Sequence, residues 1–152
     1  MSARVVVVGA GAWGTALAVH LATRAHAAPA VTLCFRDRAA AAAAARAREN
    51  ARYLPGIALP ARLAIDASPA CARDADVVFV ATPVAGLRSA VAALAAAGAT
   101  APLALCCKGF VAAPDAPGGA LPAHQAIARE GAPAVGAVSG PSFAEEVARA
   151  LQ

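Results

Sequence analysis

Val5-Val6-Val7-Val8-Gly9-Ala10-Gly11-Ala12-Trp13-Gly14-Thr15-Ala16-Leu17-Ala18 is the stretch whose reading decides the fold. Four consecutive β-branched residues without alternation suit a parallel strand buried on both faces. Glycines follow, and residues 15–24 read as a helix with Ala16, Leu17, Val19, His20 and Leu21 along it. Pro29 closes a turn, and residues 31–35, Val-Thr-Leu-Cys-Phe, read as a second strand. The unit is therefore β–α–β, with Gly-x-Gly-x-x-Gly between strand and helix. In that frame Gly9 allows the tight turn, Gly11 lets a pyrophosphate approach the backbone, and Gly14 lets the helix pack closely. The amides and dipole at the helix start favour the phosphate charge. Dinucleotide binding is the expected role; a glycine-rich turn without a ligand is the plainer alternative.

Beyond this unit, strands and helices keep alternating. Residues 38–48 are alanine-rich and helical on propensity. Tyr53-Leu54-Pro55-Gly56 reads as a turn, and residues 62–65 as a short strand. Ser68-Pro69 reads as a helix cap with proline at the first helical position. Residues 77–80 form another buried strand, ending at Ala81-Thr82-Pro83. A helix over 87–97 stops at Gly98, and a strand over 103–106 carries Lys108-Gly109 at its carboxyl end. The stretch 114–119 reads as a loop, 120–129 as a helix and 134–138 as a strand. Ser139-Gly140-Pro141-Ser142 turns into a last helix opened by Phe143 and expected to run to the final residue. This order predicts an α/β fold, a doubly wound, mainly parallel Rossmann-type sheet in one domain over 1–152. The last helix shows no stop signal, so truncation before a further domain is expected.

Composition narrows the function classes. The 152 residues are 60% hydrophobic and 14% charged, with net charge +4, and the charged share is below the usual quarter or so. The basic residues are scattered rather than in a run, and a solvated helix face accounts for Arg46, Arg48 and Arg52 better than a nucleic-acid site does. A mild positive balance suits an anionic small-molecule ligand. Cys34, Cys71, Cys106 and Cys107 show no metal-ligand spacing and are expected as reduced, partly buried thiols in a cytoplasmic protein. Arg4, the apolar run and Ala25-His26-Ala27 imitate a secretory signal, but the glycines and His20 interrupt it. Residues 89–107 are uncharged, yet Gly98 and Pro102 make helix–turn–strand the better reading than a membrane span.

Candidate ligand residues lie where open parallel sheets bind ligands, beyond the carboxyl ends of their strands. Arg36, the first position past the second strand, leans towards a 2′-phosphate and so NADP, while the adjacent Asp37 leaves NAD open. Lys108 is the sole lysine among 13 basic residues, and at this edge its ammonium could hold a phosphate or polarise a carbonyl oxygen. Ser142 heads a helix, where its hydroxyl and the neighbouring amides suit an anion. His20, His26 and His124 read as structural. Glu145 and Glu146 sit in the first turn of the last helix, where the dipole favours acids.

Taken together, Gly-Ala-Gly-Ala-Trp-Gly-Thr-Ala-Leu-Ala at 9–18, Arg48-Glu49-Asn50 through Tyr53-Leu54-Pro55-Gly56, Ala81-Thr82-Pro83, Lys108-Gly109-Phe110 and Ser139-Gly140-Pro141-Ser142-Phe143-Ala144 resemble bacterial NAD(P)-dependent glycerol-3-phosphate dehydrogenases. The similarity covers essentially the whole chain in order. It implies interconversion of dihydroxyacetone phosphate and sn-glycerol 3-phosphate with NAD or NADP, supplying the phospholipid backbone. It implies cofactor contacts from Ala12, Trp13, Arg36, Lys108 and Ala144, beside the glycines, and substrate contacts from Lys108, Gly140 and Ser142. The family's proton-transferring lysine lies in a helical second domain with no counterpart here, so the isolated chain is expected to be inactive. No nucleic-acid or membrane partner is implied, and a homodimer of the full-length enzyme is left open. Related hydroxyacid or ketone dehydrogenases and a non-catalytic nucleotide-binding module are the alternatives.

Overall fold

The computed structural model describes residues 2–24, 29–139 and 143–149. The elements run β1 (Arg4–Val8), α1 (Ala12–Thr23), β2 (Ala30–Cys34), α2 (Arg38–Ala47), β3 (Glu49–Asn50), β4 (Leu54–Ala58), β5 (Ala64–Asp66), β6 (Val77–Val80), α3 (Val84–Ala96), β7 (Leu103–Leu105), β8 (Phe110–Ala112), β9 (Ala120–Pro122), α4 (Ala123–Arg129), β10 (Val135–Ala137) and α5 (Ala144–Ala148). A 3-10 turn at Pro69–Ala72 precedes β6, with the Ser68 hydroxyl accepting from the Ala70 amide.

Six strands form one sheet in the order β10-β7-β6-β1-β2-β5, every pairing parallel. Order therefore reverses between β1 and β6, which is where doubly wound sheets open a ligand crevice. Alternation along β1 explains the two faces. Val5 and Val7 join α1, α2 and α5 in one core, while Val6 joins α3, α4 and the Pro69–Ala72 turn in the other. Both faces of the strand are covered, so a run of valines costs nothing in exposed surface.

The doubly wound reading is borne out, and so is the helix–turn–strand over 89–107, as the end of α3, a turn at Gly98 and β7. Among the described residues no helix is long and apolar enough to cross a membrane. The apolar amino-terminal stretch is divided between β1 and α1.

Three local expectations differ. The turn lies at 50–53, closed by the Tyr53 amide to the Asn50 carbonyl, and Leu54–Ala58 is a strand paired antiparallel with β3. Burial of Leu54 and Ile57 against α1 overrides Pro55 and Gly56, which a two-stranded ribbon outside the main sheet tolerates. Residues 120–122 are a strand paired with β8 rather than the start of a helix, so the 114–119 loop is the tip of a hairpin. The last helix spans Ala144–Ala148; residues 150–152 lie outside the described residues.

Candidate functional site

The glycine corner sits between β1 and α1, at the switch point. The Gly9 amide donates to the Cys34 carbonyl of β2 at 3.0 Å, and the Ala81 amide donates to the Val8 carbonyl at 2.8 Å. The corner is thus wedged between the ends of β2 and β6. Its three glycines have distinct surroundings. Gly9 has φ +107° and its missing Cβ would come within 2.9 Å of the Ala81 carbonyl group, so both dihedral and space exclude a side chain. At Gly14 a Cβ would strike the Gly9 carbonyl oxygen and lie 3.0 Å from the Ala81 Cβ, so this glycine lets α1 press onto the strand ends. Beside Gly11 a Cβ would meet nothing within 4 Å. Gly11 has ordinary extended dihedrals (φ −71°, ψ −177°) and caps α1 without any side-chain bond. Folding alone does not require glycine there, and the space beside it is open to a ligand.

A second polar feature lies in the segment against this corner. The Thr82 hydroxyl oxygen is buried and finds no hydrogen-bond partner among the described residues, and its backbone nitrogen lies 3.0 Å from the position of a Gly9 Cβ. A buried hydroxyl left unpaired beside a crevice is a group that a ligand can satisfy. Together with the dipole of the twelve-residue α1, these features fit a dinucleotide pyrophosphate.

The loop is also tied from outside the motif. Asn50, 5% exposed, donates from Nδ2 to the Ala10 carbonyl at 2.9 Å and to the Thr15 hydroxyl at 2.8 Å. Asn50 is carried by β3, and the β3–β4 ribbon is fastened by Arg48. The Arg48 guanidinium donates to the carbonyls of Leu59, Pro60 and Leu63, and Glu49 accepts from the Gly56 amide. Arg48 is therefore a backbone clamp rather than part of a solvated basic face, which corrects the grouping with Arg46 and Arg52. Arg52 lies 5.1 Å from the Tyr53 ring centroid.

Arg36 is exposed immediately past β2. The neighbouring Asp37 carboxylate accepts from the Ala40 amide at 2.6 Å and caps α2, so its charge is engaged by a helix start. Trp13 is half-buried and Ala12 begins α1. Lys108 is exposed between β7 and β8. The carboxyl edge there is built by the Cys106 amide on the Val80 carbonyl and the Val138 amide on the Leu105 carbonyl. Ala144 opens α5 and packs against the core that holds α1 and Ala10. The structure thus brings Gly9, Gly11, Ala12, Trp13 and Gly14 together and sets Arg36 and Lys108 on the same edge of the sheet. Gly140, Ser142 and His26 lie outside the described residues. His20 is on α1 and His124 on α4.

The cysteines are free thiols. Cys34 is pushed up by its hydrogen bond to Cys71 and by burial, which keeps it neutral beside the corner. Cys106 is pushed up to about 11 by burial and by Cys107. No group of three metal-ligating side chains forms among the described residues. A separate cavity of about 220 Å³ between α3 and α4, reaching Leu103 and Ile127, lies at the start of β7, the end away from Lys108.

Residues 4–152 match the family model described as the NAD-dependent glycerol-3-phosphate dehydrogenase N-terminus. The chain belongs to this family. A Methylibium petroleiphilum glycerol-3-phosphate dehydrogenase [NAD(P)+] is 49% identical over 96% of the chain and 42% of its own length. The Variovorax paradoxus protein of the same name is 50% identical over 95% and 43%. Among solved structures, glycerol-3-phosphate dehydrogenase from Saccharomyces cerevisiae superposes with TM-score 0.81 at 26% identity, over 98% of this chain and 45% of that one. The Coxiella burnetii enzyme gives 0.81 at 26% identity, over 97% and 44%. The chain spans a little over two fifths of the length of these glycerol-3-phosphate dehydrogenases.

Proposed function

We propose that this chain is the nucleotide-binding domain, over 1–152, of an NAD(P)-dependent oxidoreductase that interconverts dihydroxyacetone phosphate and sn-glycerol 3-phosphate. The observation that carries it is the open space beside Gly11 at the sheet's switch point, in a chain matched from residue 4 to 152 by the dehydrogenase family.

In this reading the Gly9-to-Gly14 corner and the start of α1 hold the pyrophosphate, with Ala12, Trp13 and Ala144 alongside the cofactor. Arg36 faces the adenosine ribose, where a guanidinium suits a 2′-phosphate. The bound nicotinamide supplies a two-electron hydride carrier. Lys108 contacts cofactor and substrate, and its ammonium balances charge on a substrate phosphate or on the carbonyl oxygen as it gains charge. Gly140 and Ser142 complete the substrate contacts. The proton is exchanged by a lysine of a helical second domain, and the complete enzyme is a cytoplasmic homodimer.

The test is a titration of NADPH and NADH against the chain, followed by a dihydroxyacetone phosphate reduction assay on the chain and on the full-length protein. Saturable binding by the chain, turnover by the full-length protein and none by the chain are expected. No binding at millimolar cofactor, or no turnover by the full-length protein, refutes the reading.

A further inference from the structure

Asn50 reaches the glycine corner from a ribbon that belongs to neither the corner nor the main sheet. A side-chain amide nitrogen carries two hydrogens, and both are spent here, on the Ala10 carbonyl at 2.9 Å and the Thr15 hydroxyl at 2.8 Å. In a trans peptide the carbonyl and the following N–H point in opposite directions. Drawing the Ala10 oxygen onto Asn50 therefore turns the Gly11 N–H the other way. A Cβ at Gly11 would meet no protein atom within 4 Å, so open space lies beside this peptide.

We propose that Asn50 is a positioning residue for the pyrophosphate, fixing the Ala10–Gly11 peptide plane so that the Gly11 amide is aimed at the ligand before it arrives. The proposal rests on the dinucleotide reading of the corner. Without Asn50 the Ala10 oxygen is released, and the peptide can rotate to present a carbonyl oxygen where a phosphate oxygen must sit. Acceptor would then face acceptor. Asn50 can act as a fixed point because its own backbone is anchored. Its carbonyl accepts from the Tyr53 amide, Glu49 accepts from the Gly56 amide, and Arg48 binds three carbonyls of the following segment. Thr15, fully buried, receives the second donor at the first turn of α1, so one side chain sets the loop and the helix start relative to each other. Preorganisation of this kind raises affinity by removing an ordering cost from the binding step.

The test uses two ligands on the same protein. ADP-ribose carries the pyrophosphate, and adenosine does not. Asn50→Leu keeps the side-chain size and removes both donors. It is expected to weaken ADP-ribose about tenfold, the value of one or two lost hydrogen bonds, while adenosine, followed by NMR titration, stays within about twofold. Thr15→Val, which removes one anchor and leaves Asn50 in place, is expected to weaken ADP-ribose by about threefold with the same selectivity, and it reads the same split if the Leu variant does not fold. Equal weakening of both ligands in the folded variants means a merely structural role and overturns the proposal, as does unchanged ADP-ribose binding. A wild-type chain that binds no ADP-ribose overturns the dinucleotide reading itself, and the role of Asn50 falls with it.

Discussion

Replacing Gly11 by alanine separates what the glycine corner needs for folding from what it needs for its ligand. The dihedrals at Gly11 are open to any residue, and the added methyl meets no protein atom within 4 Å. Restricting the unfolded chain stabilises such a variant by about 0.4–1 kcal/mol. Loss of glycine at a helix cap offsets this by a similar few tenths to ~1 kcal/mol. Stability should therefore stay within about 0.5 kcal/mol of wild type. Binding should not. With the pyrophosphate in the space beside Gly11, as proposed, the methyl stands in its way, and losing a hydrogen bond to a charged phosphate oxygen costs about 1.5–3 kcal/mol, or roughly ten- to 150-fold in Kd. Thermal unfolding gives the first number and calorimetric titration with NADPH the second. A Gly11→Ala chain that melts like wild type and binds NADPH equally well would refute the assignment of this space to the pyrophosphate.

Gly14→Ala should show the opposite pattern, destabilising by about 1–3 kcal/mol despite the better helix propensity of alanine, because the backbone oxygen of Gly9 lies in the way; thermal melting checks it, and an unchanged Tm contradicts it. Arg36→Ala should lower NADPH affinity about fivefold, as expected for an exposed ion pair, and leave NADH unchanged; paired titrations read the ratio, and a constant ratio contradicts the ribose assignment. Burial raises Cys106 from its ordinary 9.0 to about 11, so the folded state holds this proton more tightly than the unfolded chain does. Its contribution to stability is then complete below about pH 9 and lost as pH rises to about 11. Denaturant unfolding should show stability falling across that window, and Cys106→Ala should flatten the fall; a profile unaltered by the substitution contradicts it.

The parallel sheet was legible because its signals are local. The Val5–Val8 run needs cover on both faces, and Gly9, Gly11 and Gly14 punctuate the strand-to-helix turn at a spacing with one common structural use. The edge strands at 64–66 and 135–137 were anticipated within a few residues for the same reason. The β3–β4 ribbon was not. Pro55 and Gly56 are turn formers by themselves, and only burial of Leu54 and Ile57 on α1 makes that segment a strand. Residues 120–122 were missed likewise, since their pairing with β8 is set by a partner ten residues back, across a Pro/Gly tip.

At the candidate site, sequence reasoning named the groups that carry charge or allow close approach, namely the glycines, Arg36 and Lys108, and the fold sets them on one edge of the sheet. It gave no role to Asn50 or Thr15, and it placed Ala81-Thr82-Pro83 at the ligand edge without singling out the Thr82 hydroxyl. Neutral side chains of that kind show their part only in the fold: Asn50 through Ala10 and Thr15, and Thr82 through a buried hydroxyl with no partner among the described residues. The available signal was an asparagine between the charged end of α2 and the Tyr53-Leu54-Pro55-Gly56 motif. Spacing alone does not distinguish it from an ordinary turn residue. Arg48 was misread for a related reason, because its carbonyl partners come from residues 59–63 and not from its own helix.

The most direct measurement is amide chemical-shift mapping of the isotope-labelled chain during titration with NADPH. The pyrophosphate assignment predicts that the largest shifts fall on Gly11, Ala12 and Trp13, with smaller ones at Thr82 and Arg36. Saturable shifts centred on the α3–α4 cavity around Leu94 and Ile127, with Gly11 unmoved, would contradict it.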